Sequence, residues 1–147
     1  LRLTKHSDYA LRALIYAACH EDRLVSTAEI SAAFGISENH LGKIVHALGR
    51  AGLLEVRRGR SGGVRLARPA SAISVGEVVR STEPDFALVE CFDREHDTCP
   101  ITPACALIPP LRAAMAAFMA ALDGFTLADV AGPNSQAKYR RLLRVLR

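Results

Sequence analysis

Over residues 8–20, Tyr9, Leu11, Leu14, Ile15 and Ala18 fall at spacings that suit one face of an amphipathic helix. Ser7 stands where a capping side chain is needed. A second helix is predicted to open at Ser26, with Glu29 in the capping-box position, to run through Ile30 to Phe34 and to stop at Gly35. Ser37 caps a third, which carries Leu41, Ile44, Val45 and Leu48 at three- and four-residue steps and closes at Gly52. Two helices about a tight Gly35-Ile36 turn have the length and punctuation of a helix-turn-helix. Leu53 to Val56 and Val64 to Leu66 then read as two short strands. Between them lies Arg57-Arg58-Gly59-Arg60-Ser61-Gly62-Gly63, a glycine-permitted hairpin tip loaded with arginines. Arginines there suit phosphate contact and do not suit a core, so the hairpin is read as a wing.

The pattern changes after Pro69. Ile73 to Arg80 suggests a short helix, and residues 83–106 carry no period. From Leu107 a long helix is expected, with Pro109 and Pro110 tolerated in its first turn and Gly124 at its end. Leu111, Met115, Phe118 and Leu122 form a stripe along it. A single helix beyond a small domain has little to pack on, so these four residues are expected to meet the same helix of a second copy. The fold class is therefore mostly α: a winged helix-turn-helix domain with a two-stranded wing over residues 1–82, a cysteine-bearing loop over 83–106, a dimerisation helix with a short following segment over 107–131, and a basic tail over 132–147.

Charge sharpens this division. The net charge is +4 over 147 residues, but residues 1–70 carry +5, residues 71–132 carry −6 and residues 133–147 carry +5. A basic first part suits a polyanion. Ser37, Asn39, His40 and Lys43 lie at the start of the third helix, where this motif reaches base edges, while Arg58, Arg60 and Ser61 lie on the wing. Lysine can address guanine and asparagine adenine, and wing arginines hold phosphates. Double-stranded DNA is the expected partner. No apolar run is long enough for a bilayer, and Leu1-Arg2-Leu3-Thr4 lacks the apolar stretch of a signal peptide, so no membrane association and a cytoplasmic location are expected. A glycine-rich phosphate loop, a metal-hydrolase histidine pair and a serine elbow are all missing, so no enzyme is expected.

Of four cysteines, Cys91, Cys99 and Cys105 fall within fifteen residues. In a cytoplasmic chain a disulfide framework is disfavoured. Seven residues separate the first pair and five the second, wider than the close pairs usual in structural zinc sites. Thiolates at such spacing suit an iron–sulfur cluster. Zinc and buried free thiols remain as alternatives. Cys19 follows the apolar pattern of the first helix and reads as a small hydrophobe. Asp8, in the first turn, reads as an ordinary acid favouring the helix dipole. His96 lies inside the loop and reads as a surface residue.

Several segments together resemble the winged-helix regulator family that includes the iron–sulfur regulator IscR, the nitric-oxide-sensing repressor NsrR and the iron-responsive repressor RirA. They are Leu3-Thr4, Asp8-Tyr9-Ala10-Leu11-Arg12-Ala13-Leu14, Asn39-His40-Leu41, Lys43-Ile44, the wing from Arg58 to Leu66 with Pro69-Ala70, and Thr126-Leu127-Ala128-Asp129. The likeness covers residues 1 to about 131. Cys99-Pro100-Ile101-Thr102-Pro103-Ala104-Cys105 looks most like the nitric-oxide-sensing branch. Ile108 stands where the iron–sulfur regulator branch places a histidine, whereas the seven-residue gap and Glu90-Cys91-Phe92 resemble the iron-responsive branch. The resemblance implies a homodimeric repressor that holds a 4Fe–4S cluster (2Fe–2S being the alternative) and binds an inverted-repeat operator until nitric oxide attacks the cluster. It also implies that Asp8 of the other subunit completes the cluster's ligands. An iron-responsive repressor and a zinc-stabilised DNA-binding protein without sensing are the competing readings.

Overall fold

The computed structural model describes residues 2–143. Helices α1 (Lys5–Ala18), α2 (Thr27–Phe34) and α3 (Glu38–Arg50) precede an antiparallel hairpin of β1 (Leu54–Arg57) and β2 (Gly63–Leu66). Then come α4 (Val75–Thr82), an irregular stretch with two 3-10 turns at Glu90–Phe92 and Thr102–Ala104, the long α5 (Ile108–Asp123), a one-turn α6 (Leu127–Val130) and α7 (Pro133–Leu142). The mostly helical winged-helix class read from the pattern holds.

The core lies where α1, α2 and α3 meet the hairpin. Leu14, Tyr16, Ile30, Leu41, Ile44, Leu48 and Leu53 are all fully or almost fully buried in it. Helix α3 buries the whole stripe its sequence advertised, whereas α1 buries Leu14 and Ala18 with Ala10, Ala13, Tyr16 and Ala17 and leaves Tyr9, Leu11 and Ile15 half-buried; burial at about 25 cal/mol per Å2 of apolar surface favours this arrangement. The hairpin register pairs Leu54 with Leu66 and Val56 with Val64. A bridge between Val25 and Val64 extends it towards the start of α2.

Helix caps explain most boundaries. Ser26 and Ser37 accept hydrogen bonds from Glu29 N and His40 N at 3.0 and 3.3 Å, as expected. Gly35 ends α2 in the left-handed conformation (φ 64°) that a side chain resists. The start of α1 differs from expectation. Thr4 caps it rather than Ser7, its hydroxyl accepting from Ser7 N at 3.2 Å. The first turn, Lys5-His6-Ser7, is polar and so leaves no apolar signal. Ser7 is instead fully buried beside Thr4. Helix α4 begins two residues later than its apolar pattern suggested because Ser74 caps it.

Two connections tie the later elements to the winged core. Glu83, just past α4, accepts from Thr4 N at 2.8 Å and Thr4 Oγ1 at 3.1 Å, so the root of the cysteine loop holds the start of α1. Helix α5 crosses α4 closely where Gly76 faces Asp123, and Arg80 pairs with Asp123 there. The basic tail contains a helix, α7, that the sequence pattern did not reveal; the tail's last four residues lie outside those described.

Candidate functional site

The exposed face of α3 is set by the burial of its other side. Leu41, Ile44, Val45 and Leu48 point inward, so Asn39, Lys43, His46 and Arg50 are left exposed on the outer side. Ser37 is exposed, but its hydroxyl is engaged as the cap. His40 is half-buried, its ring edge-on to Tyr9 of α1 with centroids 5.3 Å apart. The structure therefore gives His40 a packing contact that its sequence position did not reveal. Arg58, Arg60 and Ser61 are exposed at the wing tip. A groove between α3 and the wing, lined by Gly42, His46, Arg50, Val56 and Arg58, joins the two sets.

Ion pairing sorts the cations of this basic region. Glu55 lies opposite Arg65 in the hairpin register and binds both Arg65 and Arg57, at 2.7 and 3.0 Å. Those bonds, Arg65 first, hold its carboxyl below the usual range. Arg12, Arg23 and Arg68 are likewise paired, with Asp8, Glu29 and Glu77. Among the described residues, Lys43, Arg50, Arg58 and Arg60 have no ion-pair partner. The cations on α3 and the wing tip can thus meet an external anion, while Arg12, Arg23, Arg57, Arg65 and Arg68 are neutralised internally.

The cysteine loop is irregular yet tied. Glu90 accepts from both the backbone and the hydroxyl of Thr98, which draws the residues next to Cys91 and Cys99 together at the neck of the 91–97 segment. These bonds keep the Glu90 carboxyl below its usual range. Asp97 accepts from Cys99 N and Thr102 Oγ1, each at 3.1 Å, and so links that neck to the turn ending at Cys105. All three thiols are free and half-buried. Among the described residues, no three His, Cys, Asp or Glu side chains converge as a formed metal site. The donor chemistry nevertheless suits an iron–sulfur cluster: three soft thiols with no disulfide partner, on one segment outside the α-helices and the sheet. His96 is exposed and bonded to Asp93 at 2.7 Å. Cys19 is buried in the core, as its place in the helix pattern suggested.

Asp8 occupies the first turn of α1 and makes two hydrogen bonds with Arg12, at 3.1 and 2.7 Å. The Arg12 guanidinium also lies 5.5 Å from the Tyr9 ring centroid. Along α5, Leu111, Met115, Phe118 and Leu122 are half-buried, and no residue of the helix is fully buried. Met115 and Phe118 line a cavity of about 240 Å3 with Leu3, Phe86 and Leu88 of the same chain. Part of the stripe thus faces its own winged domain. The alanines at 113, 114, 116, 117, 120 and 121 are exposed. Arg112 reaches over the ring of Phe92, 5.7 Å from its centroid, joining α5 to the cysteine loop.

Residues 3–133 match the model of the Rrf2 family, described as an iron-dependent transcriptional regulator. The chain belongs to the Rrf2 family. Among Rrf2-like relatives, it is 44% identical over 145 residues to the HTH-type transcriptional regulator NsrR of Geobacillus kaustophilus, covering 98% of this chain and 97% of that one. It is 45% identical over 139 residues to Protein aau3 of Rhizobium meliloti, covering 95% and 90%. The structure of IscR from T. potens superposes with a TM-score of 0.74 at 25% identity, over 94% of this chain and 91% of that one. As an Rrf2 protein the chain is a transcriptional regulator with a DNA-binding winged helix, and not an enzyme. Among the described residues no helix is long and apolar enough to cross a membrane.

Proposed function

We propose that this chain is a homodimeric repressor, that Cys91, Cys99 and Cys105 hold a 4Fe–4S cluster, and that nitric oxide is its effector. The observation that carries the reading is the combination of unpaired cations on α3 and the wing with three free thiols on one tied loop. The NsrR relative supports the choice of branch. Asn39 and Lys43 address base edges, Arg58 and Arg60 hold phosphates, and Ser61 sits beside them at the tip. His40 acts through its packing on Tyr9 as well as by its place at the helix start.

An apolar sixteen-residue helix with no fully buried residue in the single chain supports dimerisation through α5. Two winged domains related by a two-fold axis fit an inverted-repeat operator. When bound, the cluster supplies iron sites that nitric oxide can attack. The loop's own tether, Glu83 to Thr4, passes from its root to α1, on which α3 packs. In this reading the partner subunit's Asp8 would complete the ligand set, for which its carboxylate would have to leave Arg12. An exposed ion pair of this kind is worth at most about 1 kcal/mol, so it presents little obstacle.

Anaerobic purification tests the assignment. A brown protein with stoichiometric iron and sulfide is expected, with the colour lost in Cys91→Ala, Cys99→Ala or Cys105→Ala and kept in Cys19→Ala. Colourless, zinc-loaded protein would refute the cluster. Operator release on adding nitric oxide is expected; release only on iron chelation would instead favour the iron-responsive reading, which the Cys91–Cys99 spacing also resembles. Asp8→Ala should keep the colour but shift the absorption spectrum. An unaltered spectrum would remove Asp8 from the ligand set.

A further inference from the structure

Helix α7 has a fixed inner face and a charged outer one. Tyr139 Oη donates to Val130 O at 3.0 Å and Gln136 Nε2 to Ala131 O at 2.9 Å. Tyr139 and Leu143 close over Ile15, Tyr16 and Phe34 around a small, mostly apolar cavity of about 130 Å3. Gln136, Tyr139 and Leu143 follow helical spacing, so the intervening Lys138 and Arg141 are turned outward, and both are exposed. Among the described residues neither has an ion-pair partner. Residues 133–147 contain five Lys/Arg and no Asp or Glu, so nothing within the segment neutralises them.

The docking position gives these charges a direction. Phe34 is the last residue of α2, the first helix of the helix-turn-helix, immediately before the Gly35 turn. In this motif the first helix crosses the phosphate backbone while the second enters the groove. Tyr139 and Leu143 meet α2 at Phe34 and otherwise rest on α1, so this cationic segment lies next to the end of α2 that adjoins the helix-turn-helix turn. Lys138 and Arg141 also share the unpaired state of Lys43, Arg50, Arg58 and Arg60. We infer that α7 is a further DNA-contacting element, in which Lys138 and Arg141 hold backbone phosphates flanking the half-site that α3 reads. The inference rests on the DNA-binding reading of α3 and the wing.

The test uses the full chain and a mixed-sequence duplex of about 30 base pairs, because phosphate contacts do not need an operator. Binding is measured by fluorescence anisotropy at several salt concentrations. Removing two phosphate contacts per subunit in Lys138→Ala/Arg141→Ala should lower the steepness of log K against log salt by about 1.8 for each subunit that touches the duplex, about 3.6 for the bound dimer, with up to roughly 60-fold lost per subunit at 0.1 M salt. Lys138→Arg/Arg141→Lys, which keeps both charges, should restore binding. Tyr139→Ala, which unseats the helix, should weaken binding in the same direction. An unchanged slope in the double alanine variant, with the unmutated chain binding normally, would overturn this inference alone. An unmutated chain that binds no duplex would sink the DNA reading and this inference with it. Loss of binding to vesicles of anionic phospholipid, with DNA binding intact, would reassign the helix to a membrane surface and likewise overturn it.

Discussion

Gly62→Ala should disconnect the wing from DNA while leaving the core standing. A Cβ at this position would lie 2.3 Å from Arg57 O, 2.9 Å from the Arg58 carbonyl carbon and 2.9 Å from Gly59 O. All three are backbone atoms, so no side-chain rotation relieves the overlap. The hairpin tip must open, breaking the Gly62 N to Gly59 O hydrogen bond of 3.0 Å. Overpacking a tight site costs about 1–3 kcal/mol. The tip residues 57–61 are exposed, whereas Leu54 and Val64 remain buried in the core, so the low end of that range is expected in urea unfolding. The functional loss is larger in kind. Arg58 and Arg60, the proposed phosphate contacts, leave their positions in both subunits, so the log–log salt dependence should fall by about 1.8 per subunit, about 3.6 for the bound dimer. Anisotropy titrations from low to moderate salt read this directly, and Arg58→Ala/Arg60→Ala should reproduce the slope without the stability cost. Unchanged affinity and slope in Gly62→Ala would refute the argument, because they would mean that the wing arginines act from a tip free to move.

Gly76→Ala sets its Cβ against the Asp123 carboxylate and 3.1 Å from Asp123 N, so the Asp123 side chain must turn away from Arg80 and the end of α5 must give slightly against α4. A loss of about 1–3 kcal/mol in urea unfolding is expected, and wild-type stability would show that the two helices can separate at this crossing without cost. Gly42→Ala is the opposite case: its Cβ meets nothing within 4 Å in the middle of α3, so stability should rise by about 1 kcal/mol, and a lower denaturation midpoint would contradict this. Glu29 has its carboxyl held below the ordinary range, chiefly by its bond from Arg23 and also by that from Tyr16. A depressed folded-state value means that the stabilisation is present above the unfolded value near about 4.3 and is lost as pH falls through the folded one. Glu29→Gln should therefore flatten the acid limb of the pH–stability curve, and a limb parallel to that of the unmutated protein would disprove the linkage.

The winged domain was legible because its helices obey one rule. Each of α1, α2 and α3 has an apolar stripe with a flanking cap or glycine, and an isolated turn gains little until such a stripe is buried. Where that rule lapses, sequence reading falters. Lys5-His6-Ser7 forms the first turn of α1 with no apolar residue, held by Thr4 and, across the fold, by Glu83. Helix α7 is strongly polar and is held by two hydrogen bonds and one tyrosine, so no periodic stripe announces it. The stripe on α5 was visible, but not that Met115 and Phe118 would border a cavity against Phe86 of a segment with no period of its own.

The candidate site shows the same limit in electrostatic form. Composition registers a basic first half, yet DNA meets only charges that the fold leaves unpaired. Arg57 and Arg58 are adjacent in sequence and equal in charge. Strand alternation and the Glu55–Arg65 register tie Arg57 to Glu55, while Arg58, one residue further on at the tip, stays without a partner among the described residues. A two-residue hairpin offset in either direction would set Gly63 or Ala67 opposite Glu55 and release Arg65 without altering any count. Charge therefore identifies the class of partner, and strand register decides which residues can hold it. The cysteines follow a parallel logic: their spacing is a sequence property, but the neck that brings Cys91 towards Cys99 depends on Glu90 reaching Thr98, a contact that no spacing rule encodes.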